Sequence, residues 1–99
     1  MKTVTLYEKC SNGKVFFSLD DVCLDYFTEV IGKKEYVIPE GFEIAEDMTG
    51  TKHFYRIDST NDFGVLRTDH TKNGNFPYLA GCRFNGGKRI YLHRPSSHA

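Results

Sequence analysis

Five residues in the middle of the chain have the types needed to cleave RNA without a metal ion. They are Glu43, Glu46, Arg56, Arg67 and His70. Such cleavage needs a general base, a general acid and cations near the phosphate, and carboxylates, histidine and arginines supply those roles. The residues come from neighbouring predicted strands and loops with no fixed spacing. A small metal-independent ribonuclease is therefore one alternative that the sequence leaves open.

Metal binding and nucleophilic catalysis have less support. The potential metal ligands include three cysteines and four histidines, but no CxxC, HxH or HxxxH spacing occurs among them. Structural zinc sites usually contain such close pairs. Cys10, Cys23 and Cys82 fall on predicted core positions, where a thiol behaves as a small apolar side chain. No nucleophile elbow or phosphate-binding glycine loop is present, so we predict no metal and no cofactor.

The most distinctive surface chemistry lies near the C-terminus, in the stretch GCRFNGGKRIYLHR (81–94), which contains four Lys/Arg and no acidic residue. A three-residue loop at 85–87, with glycine supplying a positive φ, would place Ala80 opposite Leu92 and Cys82 opposite Ile90. The apolar side chains would then face the core and the basic ones solvent. The predicted binding residues are Arg83, Lys88, Arg89, Tyr91, His93 and Arg94.

Charge is unevenly distributed along a chain whose net charge is zero. Residues 20–47 hold nine acidic residues against two lysines, a net charge of −7, whereas residues 70–99 carry five Lys/Arg and no acid. A polarised chain can steer a charged partner even when its total charge is zero. The alternative is that the two blocks attract each other or are simply solvated.

The N-terminal third contains signals for a hairpin followed by a helix. Asn12-Gly13 predicts a type I′ turn in a hairpin over residues 3–19, with Cys10 opposite Val15 and Glu8 opposite Phe17. Residues 20–31 predict a helix. It begins at two aspartates, places Cys23, Phe27, Val30 and Ile31 on one buried face, and ends at Gly32 before two lysines.

The rest of the chain predicts short strands separated by turns. Pro39-Glu40-Gly41 predicts a turn, KHFYRID and FGVLRTD alternate as strands do, and Pro77 suits a strand start or an edge. The fold class expected is α+β, with one helix packed on a bent antiparallel sheet of about five to seven strands. We expect a single small domain over residues 1–94 and a flexible C-terminal tail at 95–99.

The number of cysteines and the hydropathy of the chain indicate where in the cell the protein is located. Three cysteines at wide spacings argue against a disulfide framework and favour a reducing cytosol. The sequence contains no apolar run long enough to span a membrane. Apolar and polar residues alternate at its N-terminus, where a signal peptide would have an apolar core. The expected localisation is cytoplasmic.

The predicted function is a small protein-binding module whose basic Arg/Tyr hairpin face contacts a protein partner with an acidic surface. Tyr and Arg are enriched among the residues that dominate interface energetics. Small phage or mobile-element proteins that inhibit a host nuclease or defence complex are one class of this kind. The alternative is an RNA or single-stranded nucleic-acid binder, because a tyrosine among arginines can stack on bases and neutralise phosphates.

Overall fold

The computed structural model describes residues 2–71, 73–81 and 84–95. The described fold contains eight β-strands: β1 (Thr3–Ser11), β2 (Lys14–Ser18), β3 (Thr28–Val37), β4 (Phe42–Glu46), β5 (Lys52–Arg56), β6 (Ser59–Asp69), β7 (Phe76–Ala80) and β8 (Ile90–Tyr91). A 3-10 turn, Phe84–Gly87, precedes β8. The strands form two antiparallel sheets, ordered β2-β1-β3 and β4-β5-β6-β7-β8.

The predicted α+β fold with a helix on a sheet is wrong, because the described residues contain no α-helix and the fold is nearly all β. Where the helix was expected, a loop leads into β3. The carboxylates of Asp20 and Asp25 accept hydrogen bonds from the backbone N–H groups of Val22 and Phe27, two residues further on. These aspartates therefore make turns in place of capping a helix. β3 then pairs with β1 from its first residue to its last.

The side chains that the predicted helix would have buried lie at the surface. Cys23, Phe27, Val30 and Ile31 are all exposed. Gly32, the expected helix stop, lies inside β3 next to a β-bulge, a position where glycine is common. Pairing with β1 thus outweighs the local helical spacing, and the β-branched residues of this segment favour the strand.

The N-terminal hairpin is confirmed in its turn and register. Asn12 and Gly13 both have positive φ, 53° and 79°, as a type I′ turn requires. Cys10 lies opposite Val15 and Glu8 opposite Phe17, as predicted.

One hydrophobic core lies between the two sheets. Its buried members are Leu6, Phe17, Tyr36, Phe42, Phe54, Leu79 and Leu92. The long strand β6 pairs with β5 up to Gly64 and with β7 from Val65 onward. A Cβ at Gly64 would come within 3.0 Å of the Leu79 Cβ, so glycine allows this close packing where β6 changes partner.

Hydrogen bonds join the two sheets along two seams. At one seam, the Phe17 N–H donates to Thr68 Oγ1 at 3.1 Å, and His70 Nε2 donates to the Val15 carbonyl at 2.6 Å. At the other, the Val37 N–H donates to the His93 carbonyl at 2.7 Å. The seams fix the C-terminal half of β6 and the end of β8 against the three-stranded sheet.

The register predicted for the C-terminal hairpin is wrong by three residues. Tyr91 lies opposite Tyr78 and Ile90 opposite Leu79, so Leu92 does not face Ala80. An odd shift reverses the faces of one strand. Ile90 and Leu92 still face the core as predicted, but on β7 the core residues are Pro77 and Leu79. Pro77 lies at the second position of β7, near the strand start as expected.

Two of the three cysteines are described. Cys10 is half-buried and Cys23 is exposed, and both are free thiols. The prediction that Cys23 is buried fails with the helix that would have buried it. Cys82, Arg83 and residues 96–99 of the predicted tail lie outside the described residues.

Two phenylalanines give a direct test of the core. Phe54→Ala should lower the free energy of unfolding by about 3–5 kcal/mol, because Phe54 is fully buried. Phe27→Ala should change it by less than about 0.5 kcal/mol, because Phe27 is 71% exposed. Urea unfolding of dilute protein measures both values. A loss at Phe27 as large as that at Phe54 would contradict this core.

Candidate functional site

A buried carboxylate at the end of β6 organises the surface around β8. Asp69 Oδ1 accepts hydrogen bonds from the backbone N–H of Thr71 at 2.8 Å and from its hydroxyl at 2.6 Å. Asp69 Oδ2 accepts from the Tyr91 hydroxyl at 2.5 Å and from Arg89 Nη1 at 3.4 Å. The Asp69 side chain is only 2% exposed. These donors compensate the burial of its charge.

Three side chains form a row across the outer face of the larger sheet. Arg67 of β6 lies opposite Tyr78 of β7, which lies opposite Tyr91 of β8. Directly opposed residues in antiparallel strands have Cβ atoms about 5 Å apart. The same face continues to the partly exposed Val65 and Phe76, which lie opposite Ala80 and Asp69.

Arg89 covers the tyrosines of this row. Its guanidinium carbon lies 4.4 Å from the centre of the Tyr78 ring, and Nη1 also donates to the Tyr91 hydroxyl at 3.2 Å. The Arg89 side chain is still 54% exposed. Stacking and two hydrogen bonds on one nitrogen thus hold the guanidinium in place while much of it faces solvent.

Electrostatics reinforce this arrangement. Hydrogen bonds from Thr71, then from Tyr91, hold the pKa of Asp69 well below its usual range, although burial acts in the opposite direction. The hydrogen bond with Tyr91, followed by the neighbouring Tyr78, raises the pKa of Arg89. Both residues are therefore charged at neutral pH.

The predicted binding residues occupy different environments, and Arg83 lies outside the described part of the chain. Lys88 and Arg89 are exposed, and Tyr91 is half-buried with its hydroxyl on Asp69. His93 is exposed, and Arg94 lies 5.8 Å from the centre of the core Tyr36 ring. We define the basic face as Arg67, Lys88, Arg89 and His93 together with Tyr78 and Tyr91.

The residues of the ribonuclease alternative are not brought together. Glu43 lies opposite Tyr55, which lies opposite Phe63, four residues before Arg67 on β6. Glu43 and Arg67 are thus separated by two strand spacings of about 4.8 Å and by about 13 Å along the strand. Glu46 lies at the end of the same edge strand.

The remaining two members have partners of their own. Arg56 donates to Asp58 at 2.9 Å and to Asp62 at 3.3 Å. His70 Nε2 donates to the Val15 carbonyl, which commits that nitrogen to the seam between the sheets. Arg67 and His70 share a shallow groove, but neither glutamate lines it.

Two other polar clusters serve the fold. Asp47 accepts from Thr49, Thr51 and His53, and the hydrogen bonds with Thr49 and His53 hold its pKa well below its usual range. These hydrogen bonds hold the loop between β4 and β5 in place. Lys9 is 5% exposed, and its ammonium donates to Asp20 Oδ1 at 2.9 Å and to the Val22 carbonyl at 2.6 Å.

Sequence reasoning did not identify Asp69, Thr71 and Tyr78 as parts of this site. One local signal was present, because Asp69-His70-Thr71 and Asp47-Met48-Thr49 share the pattern Asp-x-Thr, in which the carboxylate bonds the backbone two residues on. The contact between Asp69 and Tyr91 depends on the register of β6, β7 and β8, which spacing alone did not determine.

Comparisons of this chain with protein-family models, with curated proteins and with solved structures find no match. Among the described residues, no group of three or more His, Cys, Asp or Glu side chains could hold a metal ion. The described segments also include no helix with the length and apolar character needed to cross a membrane. Function is therefore inferred from the geometry of the chain alone.

The lowered pKa of Asp69 predicts a specific pH dependence of stability. Its folded value lies below the unfolded value of about 3.9, so the stability from the charged carboxylate is complete above that pH. It is lost as the pH falls toward the folded pKa. Asp69→Asn should be less stable than the wild type at pH 7, and this difference should shrink below about pH 4.

Urea unfolding across a pH series measures the difference in stability. Asp21→Asn is the matched control, because Asp21 is exposed, and its stability should follow the wild type throughout. A difference between Asp69→Asn and the wild type that stays constant from pH 7 to pH 2 would contradict the role assigned to the Asp69 charge.

Proposed function

We propose that this chain is a protein-binding module that docks an acidic surface of a protein partner on the basic face. The observation that carries the proposal is the fixed position of Arg89, which is stacked on Tyr78, bonded to Asp69 and Tyr91, and still half exposed. An arginine held in place loses less side-chain entropy when it binds a carboxylate. Within the described residues, both hydrogen bonds that Arg89 donates use Nη1, which leaves the N–H groups of Nε and Nη2 for a partner.

The surroundings of Arg89 suit an interface. Arg67 is exposed on the same sheet face, the exposed Lys88 precedes Arg89 in the chain, and the carboxylate of Asp69 is buried and internally bonded. Val65 and Phe76 lie on the same sheet face and are 41% and 40% exposed. Apolar side chains next to arginine and tyrosine are typical of interface cores, which exclude water around a few anchors.

A protein partner suits this face better than a nucleic acid does. Single-stranded nucleic acids need aromatic rings that are open to stacking. Tyr78 is 7% exposed and lies under the Arg89 guanidinium, and Tyr91 packs against Tyr78 with 5.3 Å between ring centres. The Arg89 guanidinium therefore covers the Tyr78 ring and keeps it from stacking on a base.

The setting that we propose is the reducing cytosol, where the free thiols Cys10 and Cys23 stay reduced. The biological role to test first is inhibition of a host nuclease or defence complex, because a small module can act by occupying a partner's surface.

Reversing charge on the basic face should weaken partner binding. Arg67→Glu with Lys88→Glu leaves the Asp69 contacts in place but opposes an acidic partner. We expect the partner's affinity to fall by about 2 kcal/mol or more, roughly 30-fold. Immobilised protein is incubated with nuclease-treated lysate of the source cells, captured proteins are identified, and the affinity of each purified candidate is measured.

The matched control is Lys2→Glu with Lys14→Glu, which makes the same charge change at exposed lysines outside the basic face. The control should retain the partner that the basic-face variant loses. Equal capture by both variants would refute the proposal. Material that is captured only before nuclease treatment would point to a nucleic acid.

A further inference from the structure

An exposed apolar segment precedes and begins β3. We call residues 22–31 the arm, and six of its side chains are large, apolar and exposed: Val22, Leu24, Tyr26, Phe27, Val30 and Ile31. Leu24 and Tyr26 are each 95% exposed. A single exposed apolar side chain needs no explanation, but six within ten residues indicate an interaction site.

The exposed area of the arm approaches what one partner of a specific interface buries. The six residues expose on the order of 700 Å² of surface, since each aromatic side chain alone carries about 150–250 Å². Specific protein interfaces bury about 800 Å² on each partner, whereas the largest patch on a typical monomer is about 300–600 Å².

Internal contacts hold the arm in place at both ends. The buried Lys9 binds Asp20 and the Val22 carbonyl, just before and at the first arm residue. Within the arm Asp25 accepts from the Phe27 N–H at 2.9 Å and from the Thr28 hydroxyl at 2.8 Å, and Tyr26 packs edge-on against Phe27. At the other end the arm pairs with β1, where Glu29 lies opposite Cys10 and Val30 opposite Lys9. The apolar side chains are thus presented outward by a fixed backbone.

The charge of the arm is opposite to that of the basic face. Asp21, next to the arm, and Asp25 and Glu29 within it are exposed acids. Among the described residues next to the arm, Asp20 forms an ion pair with Lys9 and not with a C-terminal cation. In the described part of the chain, no ion pair joins the acidic segment 20–47 to the C-terminal cations, so both charges can act on a second molecule.

From these observations we infer that the arm of one copy of this chain docks on the basic face of a second copy. Leu24, Tyr26 and Phe27 would cover Val65 and Phe76, while the arm carboxylates meet Arg67, Lys88 and the fixed Arg89. This inference rests on the basic face of the proposed function and names a second occupant for it. Self-association and partner binding then compete, so the partner binds best when the protein is dilute.

Sedimentation velocity from micromolar to millimolar protein tests the contact with purified chains alone. The wild type should associate reversibly. The arm variant Leu24→Ser with Tyr26→Ser should weaken association by about 30-fold or more. The basic-face variant Arg67→Glu with Lys88→Glu should do the same. Met48→Ser with Ile57→Ser removes exposed apolar side chains elsewhere and should associate as the wild type does.

A mixture of the two defective variants gives the sharpest result. The basic-face variant retains an intact arm and the arm variant an intact basic face, so an equimolar mixture should form a one-to-one dimer although neither variant associates alone. Cooperative unfolding of each variant at wild-type stability establishes that it is folded. A mixture that stays monomeric while the wild type associates would overturn the pairing of arm with basic face.

The failure of this inference is distinguishable from failure of the proposed function. If the wild type is monomeric up to millimolar concentration while the basic-face variant still loses its partner, self-docking is refuted and the proposed function stands. If the chains associate through arm and basic face but the basic-face variant captures the partner as well as the wild type does, the proposed function is refuted and self-docking stands.

Discussion

The buried charge of Asp69 is the constraint on which the C-terminal part of this protein depends. An ionised carboxylate removed from water is tolerated only when donors surround it, and here they come from Thr71, Tyr91 and Arg89. The contacts join the end of β6 to the following turn and to β8. Because β8 has only two residues, its own ladder is short, and the carboxylate gives it a second attachment.

The same carboxylate links stability to surface chemistry. It orients the Tyr91 hydroxyl and one nitrogen of Arg89, and Arg89 then lies over Tyr78 with half of its side chain in solvent. Asp69 therefore contributes no exposed carboxylate to this surface. Its hydrogen bond instead holds the Arg89 cation there. The arm presents exposed apolar side chains beside exposed acids, so one neutral molecule carries two surfaces of complementary character.

The predictable parts of this fold are those set by local sequence. Asn12-Gly13 determined the first hairpin and its register, because few residues other than Asn and Gly adopt two consecutive positive φ angles. The expected helix failed because the spacing of Phe27 and Val30 is also compatible with a loop and an edge strand, and the competing partner, β1, is distant in sequence. The prediction that Ile90 and Leu92 face the core was correct. The residues that β8 pairs with, and the contact between Tyr91 and Asp69, depend on a register that no local signal determines.

The proposed docking role of the basic face requires that Arg89 is ordered before any partner binds. Relaxation of the side-chain Nε–H groups by NMR measures this in the free protein, with Arg67 as an exposed internal reference. We expect an order parameter for Arg89 near the value of about 0.85 typical of rigid backbone, and a value below about 0.6 for Arg67. In Tyr91→Phe, which lacks the bridging hydroxyl, Arg89 should become more mobile while the fold is retained. An Arg89 that is as mobile as Arg67 in the wild type would contradict the account.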